Sequence, residues 1–187
     1  QGGTEEADVF EAAVTGPDGS VIFAGWTSGD WNRTNIGAAD FAAAKFDTEG
    51  NLLWKWQDGT AAQDYLYAAS ALENGSVLLV GSTGGKWDGL NAGGSDFAAV
   101  TLDADGTELW RWQNGSGNAD VLNAATAGSD GAMILAGSTL GLWDGASAGG
   151  VASDFAAVML NVSDIATPAP SPIPVDTTSS AGRTSPA

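Results

Sequence analysis

The chain has 187 residues and a formal net charge of −17, with six Lys plus Arg against 23 Asp plus Glu. So few basic residues cannot line the phosphates that dominate nucleic-acid affinity or hold an anionic membrane surface. His and Cys are absent, which removes the commonest general base, the commonest metal ligand and all thiolate or disulfide chemistry.

From the N-terminus, Gln1-Gly2-Gly3-Thr4 aligns with Gln57-Asp58-Gly59-Thr60. The chain is therefore expected to begin just after a Trp-x-Trp strand and, if secreted, to carry a processed, cyclisable leading Gln. Asp8, Asp64 and Asp120 then open three copies of a unit of about 56 residues. Such a period marks a repeated supersecondary unit that hides its apolar face against its neighbours. In each copy an apolar-rich run ends in Asp18-Gly19, Asn74-Gly75 or Asp130-Gly131, dipeptides suited to a two-residue hairpin turn. The next runs, Val21–Gly25, Val77–Gly81 and Met133–Gly137, are short and glycine-bounded and read as buried strands. A Trp-containing loop follows, then a third strand at Asp40–Phe46, Asp96–Leu102 or Asp154–Leu160. The fourth strands are Leu52–Trp56 and Glu108–Trp112, whose period of two puts Trp54 with Trp56, and Trp110 with Trp112, on one face.

The third copy runs instead into Ile165–Pro174, where Pro168, Pro170, Pro172 and Pro174 exclude a central strand. The reading is an all-β chain of three propeller-like four-stranded antiparallel blades around a pseudo-threefold axis, the third incomplete in its own chain. Residues 1–164 form the repeat domain, with copies at about 8–63, 64–119 and 120–164, and 165–187 a Pro/Ser/Thr-rich extended tail. The run Leu102-Asp-Ala-Asp-Gly-Thr-Glu-Leu-Trp110, with Gln113-Asn-Gly115, Asp120, Leu135-Ala-Gly-Ser-Thr139, Trp143-Asp-Gly145 and Ser153-Asp-Phe155, resembles the bacterial-type beta-propeller repeat called the SBBP repeat. The likeness spans roughly residues 1 to 162. It implies blades and no known catalytic residue.

Several residues are candidates for chemistry. The sequons at Asn32, Asn74, Asn114 and Asn161 are N-glycosylation candidates. Thr34 and Ser163 replace non-hydroxyl residues of the sister copies, which favours Asn32 and Asn161. Asp47 with Glu49, and Asp103 with Asp105, place two carboxylates in a glycine turn, half of a calcium loop, although a hairpin explains the same residues. Trp31, Trp87 and Trp143 lie in glycine-rich loops, as anchors or as platforms for stacking a sugar. Trp26, where the other copies carry Ser82 and Ser138, receives no assignment. Asp8, Asp64 and Asp120, with Asp40, Asp96 and Asp154, recur once per copy. An active site needs one asymmetric constellation, so no enzyme is expected, and these carboxylates are expected to bond backbone N–H groups at strand entrances.

The open third blade presents an unpaired edge, to be covered either by the tail or N-terminus of the same molecule or by another chain. With no apolar run near the ~20 residues of a membrane helix, the expectation is an extracellular or cell-surface structural glycoprotein. Identical subunits would join head to tail into filaments, a neighbour's terminal segment completing the open blade. The alternative is a secreted module binding carbohydrate or calcium; no other cofactor, nucleic-acid partner or membrane insertion is expected.

Overall fold

The computed structural model describes residues 2–128, 132–143 and 153–160. All regular structure in them is strand: β1 (Asp8–Thr15), β2 (Val21–Thr27), β3 (Asp40–Phe46), β4 (Leu52–Asp58), β5 (Asp64–Ala71), β6 (Val77–Thr83), β7 (Asp96–Leu102), β8 (Glu108–Asn114), β9 (Asp120–Ala127), β10 (Met133–Thr139) and β11 (Asp154–Leu160). They form three antiparallel meanders, β1-β2-β3-β4, β5-β6-β7-β8 and β9-β10-β11. Among the described residues the third sheet has three strands, and β11 is its outer one.

The hairpins differ from the two-residue turns expected. Only the glycines take positive φ (79° at Gly19, 84° at Gly50 and Gly75, 82° at Gly106), and no other described residue does. A two-residue type I′ turn needs positive φ at both central positions. The chain instead uses a three-residue loop: Gly75 N–H bonds the Leu72 carbonyl at 3.0 Å, and Leu72 N–H bonds Ser76 at 2.9 Å. Gly at the left-handed third position closes a type I turn with one residue to spare.

Each first strand carries a bulge, visible as a register shift between Phe10 and Ala12, Leu66 and Ala68, and Leu122 and Ala124. The bulge pushes the strand backbone onto Gly25, Gly81 and Gly137. A Cβ at any of them would lie 2.8 Å from Phe10, Leu66 or Leu122 Cα and would collide with the carbonyl oxygen of Val9, Tyr65 or Val121. The recurring glycine is the counterpart of the recurring bulge.

The sheets pack face to face in chain order. Ile22, Phe41 and Trp56 of the first sheet meet Leu66, Leu79 and Val100 of the second in one apolar core. Leu78, Val80 and Phe97 of the second meet Leu122, Met133 and Leu135 of the third in another. Trp54 lies with Trp56 on the first joint, and Trp110 with Trp112 on the second. The innermost contacts run from β1 to β5 and from β5 to β9. The result is an open series of three sheets rather than a closed ring about a threefold axis.

Candidate functional site

The repeat builds the same joint twice, and its parts explain most of the recurring residues. At each strand entrance a carboxylate ties the incoming chain down. Asp64 accepts the Thr60 backbone N–H at 2.6 Å, the Thr60 hydroxyl at 3.0 Å and the Thr83 hydroxyl. Asp120 accepts the Ser116 N–H at 2.6 Å and the Ser116 hydroxyl at 3.0 Å, and Asp8 holds Thr4 and Thr27 in the same way. Asp40 and Asp96 receive Ile36 N–H at 3.2 Å and Ala92 N–H at 3.0 Å, which is the strand-entrance role read from the sequence.

A glutamine then fixes the Trp loop. Gln57 Oε1 accepts the N–H groups of Trp31, Asn32 and Arg33 at 2.9–3.3 Å, while its Nε2 donates to Asp40 and to Gly29 O. Gln113 repeats the pattern with Trp87, Asp88 and Gly89, donating to Asp96 and Gly85 O at 2.8 Å each. Sequence reasoning missed this clamp. Its signal was available: Gln follows Trp-x-Trp in both copies.

The Trp loops of the second and third copies deliver Trp across the joints. Trp87 packs on Phe41 of the preceding sheet with ring centroids 4.7 Å apart, and its Nε1 donates to Asp58 at 2.8 Å. Trp143 meets Phe97 at 5.1 Å, and its Nε1 donates to Asn114 at 3.3 Å. Asp58 also pairs with Arg33 and with Arg111, whose guanidinium lies 4.7 Å over the Trp87 ring. Trp31 has no preceding sheet among the described residues. It lies against Phe10 at 5.9 Å and under the Lys55 ammonium at 4.8 Å.

Two sheet faces outside these joints correspond to their two halves and are unmatched among the described residues. On the first sheet Phe10, Phe23 and Phe46 form an aromatic chain (5.3 and 5.8 Å between rings) beside Trp31. On the third, Ile134, Phe155 and Met159 point away from the core, at 40%, 103% and 66% exposure. The Phe155 counterparts, Phe41 and Phe97, are both 0% exposed.

The remaining candidates fall on turns and loops. Asn32 and Thr34 are exposed in the first Trp loop. Asn74 is exposed in the β5–β6 turn, where its Oδ1 accepts Ser76 N–H at 3.0 Å. Asn114 ends β8 and bonds Trp143, while Ser116 of its sequon is buried and committed to Asp120. Asn161 and Pro168, Pro170, Pro172 and Pro174 lie outside the described residues. Asp47 Oδ1 accepts Glu49 and Asn51 N–H at 3.0 and 2.7 Å, and Asp103 Oδ1 accepts Asp105 and Thr107 N–H at 2.9 and 2.8 Å. These carboxylates brace hairpins, and among the described residues no three His, Cys, Asp or Glu gather as a metal-binding group. No long apolar membrane-crossing helix occurs among the described residues.

No protein-family model matches this chain, and no curated protein matches it in sequence.

Proposed function

We propose that the chain is a structural protein whose copies join head to tail, sheet face on sheet face, continuing the internal series of propeller-like blades from one subunit to the next. The observation that carries this reading is the exposure of Phe155 at a position where the other two sheets bury Phe under the next sheet's Trp. Trp31 of a second copy is the matching group, because it stands in its sheet where Trp87 and Trp143 stand in theirs. Covering Phe155, Met159 and Ile134 yields about 1.5–3 kcal/mol for each side chain fully buried. A face that meets a different face gives a filament when the rotation fails to close and a ring when it closes.

The finer features of the reading follow from the same arrangement. A neighbour's terminal segment along the outer edge of β11 completes the sheet by strand addition. The likeness to the SBBP repeat supports the propeller-like geometry, and the exposed Asn32-Arg-Thr34 sequon supports an extracellular, glycosylated setting. Electron micrographs of the purified chain at high concentration are expected to show filaments or rings of regular subunits. Isolated particles of 18.7 kDa at every concentration would remove the proposal.

A further inference from the structure

A cleft of about 480 Å³ opens where the inner strands of the second and third sheets meet the loops before them. Gln63, Tyr65, Tyr67, Ser82, Ser95 and Val121 line it with small residues, and no acid or base is among its lining residues. Its size falls within the roughly 300–1,000 Å³ of small-molecule sites. Trp26 of the first sheet, outside this lining, packs edge-on against Tyr65 at 5.4 Å, and Tyr65 lies 6.1 Å from Tyr67.

The repeat does not account for these residues. The Asp, Gly, Gln and Trp parts of the joints recur in the sister copies, whereas Tyr65 stands where they carry Val9 and Val121, and Tyr67 where they carry Glu11 and Asn123. Trp26 replaces Ser82 and Ser138, and Gln63 replaces Ala7 and Ala119. Two tyrosines and an exposed amide therefore meet in this cleft, with Trp26 packed edge-on against Tyr65, at positions where the sister copies carry other residues.

We propose that this cleft is a binding site for an uncharged carbohydrate. Tyr rings present flat apolar faces with polar edges, suited to the C–H faces of a pyranose, while the exposed Gln63 amide can donate to and accept from sugar hydroxyls. An uncharged lining on a chain of net charge −17 selects against phosphorylated or acidic ligands. Burial pushes the Tyr67 phenol above its usual range, with a bond to Ser82 opposing, so it remains a protonated donor at neutral pH.

Calorimetric titration of the whole chain with cellohexaose, maltohexaose, N-acetylchitohexaose and an oligogalacturonate tests the assignment. At least one neutral hexasaccharide is expected to bind saturably and the acidic one to fail. Tyr65→Ala and Gln63→Ala should each weaken that binding about tenfold or more, and Leu53→Ala, at an exposed β4 position outside the cleft lining, should leave it unchanged. Gln63 is exposed, so its truncation does not threaten folding. The inference is overturned if no neutral sugar binds at millimolar concentration, if the acidic oligomer binds better, or if binding survives both cleft substitutions.

Discussion

A methyl group on Gly81 would strike the Tyr65 carbonyl, and the bulge opposite gives that backbone no room to retreat. Gly81→Ala should lower the unfolding free energy by about 3 kcal/mol, as overpacking against backbone does. Gly117, with open space around it, should accept Ala within about 0.5 kcal/mol; urea denaturation of both variants measures the contrast. Asp64 and Asp8 occupy equivalent cages yet titrate in opposite directions. Burial raises Asp64 above its ordinary value of 3.8 despite its bonds from Thr83 and Thr60. Around the more exposed Asp8, burial is again the largest single influence, but the bonds from Thr27 and Thr4 together lower it. The folded state gains stability as pH falls through the raised pKa of Asp64 toward 3.8, because it takes up a proton before the unfolded chain does. Asp8, Asp18 and Asp47 are lowered, Asp8 as described and the other two chiefly by bonds from Ser20 and Asn51. Their contribution is present above 3.8 and lost below it, as pH falls through their folded pKa values. Thermal melts should therefore rise on mild acidification and fall below about pH 3.8, and Asp64→Asn should shrink the rising limb. An undiminished limb in that variant would contradict the assignment.

The first two Trp loops each depend on one glutamine from the fourth strand of their own sheet, so strand and loop form one unit. Gln113→Ala leaves three loop N–H groups without their acceptor and Asp96 with the Ala92 N–H but without its side-chain donor, at a cost of about 2–3 kcal/mol. Hydrogen exchange at Trp87, Asp88 and Gly89 should accelerate while β6 stays protected; equal protection in the variant would show that the loop is held otherwise. Strand positions were legible because Asp, Gly and short apolar runs recur in step, and Trp54 with Trp56 reached one joint as their spacing implied. Turn type was not, since Asp-Gly and Asn-Gly fit both a two-residue turn and the longer loop that β1–β2 and β5–β6 adopt. The glutamine was missed because a polar residue at a strand end reads as turn chemistry, and only the folded loop brings three N–H groups onto it. Trp26 was unreadable for a similar reason: its partner Tyr65 is on another sheet, and no period links them.

Among the described residues the molecule is a short run of one joint made twice, with faces on its first and third sheets that correspond to the two halves of that joint. Repetition made the three sheets readable from sequence, because each copy supplies its own comparison. How they sit together was not readable: sheet-to-sheet rotation follows from side-chain packing, and the described sheets form an open series. That openness leaves Phe155 exposed and the Phe10–Trp31 cluster unmatched, and on it the assembly proposal stands. Sedimentation of the native chain and of Phe155→Asp tests it most directly, since this fully exposed side chain can change without disturbing either core. The account predicts concentration-dependent association of the native chain and a monomer at all concentrations for the variant. A native chain that stays monomeric, or a Phe155→Asp variant that associates equally well, would contradict it.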